Sequence, residues 1–182
     1  MMRTLAIYLM MITAAAADSL SAPPAPLTDR NYIYIDQIGS GNSITIIQDG
    51  SDAKQAAVML NGDTNDIGIS QTGGGNHTAY IGPGPTTSLS SVNSGNNLTI
   101  VQEGDGTHNA TIQLTDSTGN GGNTASIYQS GGAGADKSFT LQLSGNNIGV
   151  SVVQDNPTVA NTGSMSISCY TGSCTGYSYT RH

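Results

Sequence analysis

The chain has 182 residues, 24 of them glycine, a formal net charge of −7 and charged side chains at only 9% of positions, with no tryptophan and Phe139 as the sole phenylalanine. So few charges beside so much Gly, Asn, Ser, Thr and Gln exclude an ordinary helical enzyme domain, and the recurrent alternation of Ile, Val and Thr favours β-structure on polar turns over polar disorder. The acidic balance argues against a nucleic-acid partner, since no basic stripe exists to displace counterions from phosphates.

In chain order, MMRTLAIYLMMITAAAADSL has the form of a secretory signal. Arg3 supplies the positive n-region, Leu5 to Thr13 the apolar h-region, and Ala15-Ala16-Ala17 the small residues before cleavage at Asp18. The apolar run is shorter than the ~20 residues of a membrane span. Residues 1–17 are therefore expected to leave on export, and the Pro-rich residues 18–31 to form an extended linker.

A repeat begins at IDQIGSGNSITIIQDG, residues 35–50. Gln37, Gly39, Asn42, Ile44, Ile46 and Gln48 make its first unit, and Gly50 opens a second turn with Asp52 where Asn would stand. Leu60 (in a Gln slot), Gly62, Asn65, Ile67, Ile69 and Gln71 follow, then Gly73 and Asn76. The segment GPGPTTSLSSVNSG (82–95) interrupts the register, because Pro83 and Pro85 cannot donate to a central ladder. The order resumes with Asn96, Leu98, Ile100, Gln102 and Gly104, then Ala110, Ile112 and Leu114, then Asn123, Ala125, Ile127, Gln129 and Gly131. Phe139, Leu141, Leu143, Gly145, Asn146, Ile148 and Val150 are its last clear members; Gln154 is two residues late for its slot, and Asn156-Pro157 closes a repeat region spanning 32–156.

About eleven residues hold one short strand and one tight turn, so two such halves make a strand–turn–strand coil of roughly 22 residues. One coil buries too little alone, so coils must stack, and the expected fold is an all-β β-solenoid with strands about 4.8 Å apart. Alternation sends Ile44, Ile46, Ile67, Ile69, Leu98 and Ile100 inward, together with the amides of the same parity. Gln37, Asn42, Gln48, Asn65, Gln71, Asn76, Asn96, Gln102, Asn123 and Gln129 are then rungs of amide ladders along the axis. Gly39, Gly50, Gly62, Gly73, Gly104, Gly131 and Gly145 supply positive φ at the corners. A monomeric antiparallel sandwich would explain the alternation but not the return of Gln and Asn at fixed offsets.

The tail, residues 157–182, holds the two cysteines, Cys169 and Cys174, in CYTGSC. In an exported chain such a pair forms a local disulfide closing a small loop, while a metal site would need more ligands than the nearby His182.

The order Gln-x-Gly-x-x-Asn, alternating apolar residues and a second Gln resembles the curlin repeat of the curli amyloid subunits. Residues 37–48, 60–71 and 96–104 carry the resemblance best, and degenerate copies extend it to about residue 154. It implies a secreted β-solenoid that polymerises end to end into adhesive biofilm fibres outside the cell. Its partners would be copies of itself, a nucleator subunit and an outer-membrane secretion channel, with no small-molecule substrate. Uneven repeats, the Pro-rich insertion and the cysteine-bearing tail depart from the curlin pattern. They leave open a major subunit, a nucleator-like minor one, or a non-amyloid adhesin, appendage or virion fibre protein built on the same module.

Other motifs carry less. Residues 131–136, GGAGAD, fit one copy of a calcium-binding nonapeptide that works in tandem, and Ser138 stands where its apolar residue belongs. Asn76-His77-Thr78, Asn97-Leu98-Thr99 and Asn109-Ala110-Thr111 match the glycosylation sequon, but the repeat generates such matches by placing Thr near Asn. His77 and His108 lie in Gly/Asn turns, and Asp49, Asp52, Asp63, Asp66, Glu103 and Asp105 beside the turns read as a solvated surface in which no carboxylate pair stands out. The expectation is a structural protein without cofactor, metal or catalytic residues.

Overall fold

The computed structural model describes residues 5–8, 31–82, 93–114, 120–169 and 174–182. Most of the expected leader and linker, and residues 83–92 of the insertion, lie outside these residues.

All elements among the described residues are strands. In chain order they are β1 (Leu5–Tyr8), β2 (Tyr32–Ile38), β3 (Ser43–Asp49), β4 (Lys54–Asn61), β5 (Asp66–Thr72), β6 (His77–Tyr80) and β7 (Asn93–Ser94). Then come β8 (Asn97–Gly104), β9 (His108–Leu114), β10 (Asn120–Gly121), β11 (Thr124–Gly131), β12 (Lys137–Gly145), β13 (Ile148–Gln154), β14 (Asn161–Cys169) and β15 (Cys174–Arg181). One sheet runs β1-β3-β5-β8-β11-β13-β15, the other β2-β4-β6-β9-β12-β14, and β7 pairs with β10. Each strand of the second sheet leads into one of the first, so the chain winds as a β-solenoid of six strand pairs. Neighbouring coils are parallel; only β1 is antiparallel, lying on the outer edge of β3 with Leu5 opposite Gln48. Parallel pairing throughout the stack rules out the antiparallel sandwich.

The alternation builds the core. Ile44, Ile67, Leu98, Ala125 and Val150 are in register across the first sheet, as are Ile46, Ile69, Ile100, Ile127 and Val152. Ala110 and Phe139, then Ile112 and Leu141, face them from the second, and all are buried in one cluster. A buried Ile or Leu contributes roughly 2 kcal/mol, whereas ordering one residue costs about 1–2 kcal/mol. A lone coil with a handful of such side chains cannot fold, so stacking is a condition of the structure.

Glycine makes the corners tight enough to stack. Gly39 and Gly50 have φ of +123° and +133°, and a Cβ on them would stand 2.2 Å from the Gly62 carbonyl oxygen and 1.9 Å from that of Gly73. Gly131 departs from the expected corner glycines because its φ is not positive. There the need is space, since a Cβ would meet the Ala135 oxygen at 2.6 Å.

The stack does not end at residue 156. β14 pairs in parallel with β12 and β15 with β13, so the tail is a sixth coil. The reason is that parallel pairing needs only backbone and an inward apolar alternation, which Met165, Ile167 and Cys169 continue. The longer arc at 155–160 is held by Asn156 Oδ1, which accepts from the Thr158 and Val159 amides, both at 2.9 Å. Cys169 and Cys174 are disulfide-bonded across 6.0 Å between Cα atoms, closing this coil's corner.

Candidate functional site

The glutamines of the first sheet form one continuous ladder. Nε2 of Gln48, Gln71, Gln102 and Gln129 donates to Oε1 of the next glutamine, at 2.9, 2.9, 3.0 and 3.0 Å, ending on Gln154. The second amide proton crosses the core to a carbonyl of the same coil, on Tyr32, Gln55, Thr78 and Asn109 respectively. Each glutamine thus shuts its own coil and fastens the next, and all five are fully buried. Gln154, late by residue count, is in register with Gln129.

At the opposite corner the asparagines form a second ladder of reversed polarity. Asn65 donates through both its backbone N and Nδ2 to Asn42 Oδ1 (2.8 and 2.9 Å), and Asn96 does the same to Asn65 Oδ1 (3.0 and 3.0 Å). The Asn123 amide continues to Asn96 Oδ1, and Ile148 N caps Asn123 Oδ1. Gln37 sits at the register of Leu60, and its side chain lies outside the described residues. Asn76 is a correction. It is exposed, outside either ladder, because the inward slot at its corner falls four residues after the glycine, whereas Asn42 and Asn65 fall three after Gly39 and Gly62.

That slot holds a column of bases. Lys54, His77, His108 and Lys137 are in register and continue to Asn161 in the sixth coil. None is more than 3% exposed. They staple the corner arcs from inside: Lys54 Nζ donates to the carbonyls of Gly75 (2.9 Å) and Asp52 (3.3 Å), and Lys137 Nζ to those of Ala135, Asn156 and Val159. His77 Nε2 donates to Thr72 O at 2.9 Å and His108 Nε2 to Glu103 O at 3.0 Å, while both Nδ1 atoms are buried without a partner. The two rings stack with centroids 4.9 Å apart and planes within 10°. Burial pushes the His77 imidazole down to about 4 and lowers His108 as well, so both are neutral at pH 7 and stack without repulsion. Burial also lowers Lys54 and Lys137, opposed by Asp52 and Asp49 for the first and by Asp136 and Asp155 for the second. The bases left no motif in the sequence reading, but a signal was there: Gly-x-x-x-Lys/His recurs at Gly50/Lys54, Gly73/His77 and Gly104/His108. In the GGAGAD run, Asp136 Oδ1 accepts from the Thr107 amide at 2.9 Å.

The stack has two chemically distinct ends. At the first coil, Gln48 Oε1 lacks a donor, and Ile33 and Ile35 pack partly exposed on the core. At the sixth, Gln154 Nε2 lacks an acceptor because its register partner is Arg181, whose guanidinium can only donate. Gly163 there leaves room for Tyr179 to lean on Phe139, with ring centroids 5.0 Å apart. Arg181→Gln would restore an acceptor and is expected to raise stability by about 1 kcal/mol, seen as a higher urea midpoint. An unchanged midpoint would show that the Gln154 amide is satisfied by water.

Fold and ladders together define a two-sheet β-solenoid closed by internal amides. Within that class, residues 28–50 match the family model described as curlin associated repeat, so the chain carries a curlin repeat that includes the first coil. No curated protein and no solved structure matches the chain.

Proposed function

We propose that the chain is a secreted structural subunit, without catalytic activity, that stacks end to end into curli-like extracellular fibres serving adhesion and biofilm matrix. A nucleator subunit and an outer-membrane channel are its expected partners. The observation that carries this reading is the match between the two open ends of the core. Continuing the parallel register across a junction lays β3 of one copy on β15 of another, with Arg181 opposite Gln48. The guanidinium donates and the orphaned Oε1 accepts, which is the polarity of the ladder within the chain. On the other sheet Met165 meets Ile35, covering apolar side chains that are partly exposed in the single chain. Edge pairing of backbone groups adds to this, and acidic corners slow unspecific clumping. Leu5–Tyr8 lies on the edge of β3 that must be free, so loss of residues 1–17 would open it.

The test is incubation of residues 18–182. Filaments with a fibre reflection near 4.7–4.8 Å are expected, and a chain that stays monomeric for days overturns the reading. A capped, non-polymerising solenoid used as an adhesin or appendage is favoured by one observation, the orphaned Gln154 Nε2 beneath the disulfide-closed sixth coil. Under that reading deletion of residues 157–182 turns a monomer into a polymer; under ours the polymer forms with the tail in place.

A further inference from the structure

We infer that the outer face of β9, β12 and β14 is the surface through which two filaments of this protein pair side by side, its occupant a second copy of the chain. The inference rests on end-to-end stacking as proposed above. In these strands the outward positions align as Thr111, Thr140 and Ser164 in one row and Gln113, Gln142 and Ser166 in the next. The other outward residues there are Ser, Thr and Asn, so the whole area is uncharged, flat and able both to donate and to accept. In the N-terminal half of the same sheet the outward Met59 is fully buried, so the open part of the face is its C-terminal half.

Charge selects the partner. Asp49, Asp66 and Glu103 lie on the outer side of the first sheet, and Asp52, Asp63, Asp105 and Asp136 at the corners. Lys54 and Lys137, which would offset them, are buried in the corner column. Two copies meeting by those surfaces bring carboxylates within the ~8 Å over which charge is felt at physiological salt. The outward residues of β11 and β13 are uncharged as well but carry no amide, whereas the face of β9, β12 and β14 both escapes the repulsion and carries amides. Its side-chain amides can pair across an antiparallel contact as a polar zipper.

Area decides when the contact forms. Three strands 4.8 Å apart and some seven residues long present about 300 Å², far below the ~800 Å² per partner of a stable complex. Single chains therefore meet through it only in brief encounters and form no stable dimer. A filament repeats the face once per chain, and the weak contacts sum because stacking has already aligned them.

The experiment compares filaments of the wild-type chain and of a Thr140→Asp/Gln142→Asp variant by mass per length in the electron microscope. The wild type is expected to show twice the variant's mass per length, with elongation rates within twofold. Equal mass per length overturns the inference. Should no filament form, the stacking reading fails, and the face is judged on soluble chains by disulfide trapping. Dimers of Thr140→Cys are then expected about tenfold faster than those of Ser70→Cys on the acidic sheet, and equal rates overturn the inference.

Discussion

Between pH 7 and pH 4 the protein is expected to lose on the order of 2 kcal/mol of stability through His77 and His108. His77 has its imidazole pushed down to about 4 by burial, with the neighbouring His108 and Lys54 adding to the effect. In the unfolded chain it titrates near 6.5. Between those values the unfolded state binds more protons than the folded one, so stability falls as pH falls. The contribution is whole above 6.5 and is lost on descending through about 4. The full gap would be worth about 3 kcal/mol, reduced to roughly 2 by solvent screening at a corner. His108 is lowered in the same direction and adds to the loss. Protonating His77 puts a cation between the stacked His108 ring and Lys54, and protonating His108 puts one beside Lys137, which Asp136 partly offsets. Urea midpoints at pH 7, 5.5 and 4 measure the loss. A His77→Gln/His108→Gln variant, which keeps a neutral donor toward Thr72 and Glu103, should show a flatter dependence. A wild-type midpoint that does not fall on acidification would sink the assignment.

The strands and most of the Gln and Asn rungs were legible in the sequence because a parallel solenoid writes its inside and outside as strict alternation, and Ile44-x-Ile46-x-Gln48 states it outright. The corners were not, because alternation stops where the strand stops. Asn76 and His77 differ only in whether a corner holds two or three residues after its glycine, and only stacking against Lys54 and His108 settles that. A base inside a turn also contradicts the ordinary expectation that Lys is solvated. It is tolerated because the arc turns its carbonyls inward, which no pattern of side chains announces. The sixth coil was hidden for a related reason. Its second strand, CTGYSYTR, has no glutamine, and its pairing with β13 rests on backbone and on a register that shifts at Ile148.

Replacing Gln102 by Leu is expected to cost about 4 kcal/mol, although it puts a similar volume of apolar side chain into an apolar core. Gln102 is a central rung. Its loss leaves Gln71 Nε2 without its acceptor, Gln129 Oε1 without its donor and the Thr78 carbonyl without the bond that closes the coil. Each buried polar group left unpaired costs roughly 1–3 kcal/mol, and the burial gained by Leu offsets only part of that. Gln48→Leu removes a terminal rung whose own Oε1 is already unpaired, so it strands only Gln71 Oε1 and the Tyr32 carbonyl and should cost about half as much. Denaturation midpoints of the two variants decide the matter. Equal costs would mean that the glutamines act as core volume. A clear excess at Gln102 would mean that the ladder acts as a connected network.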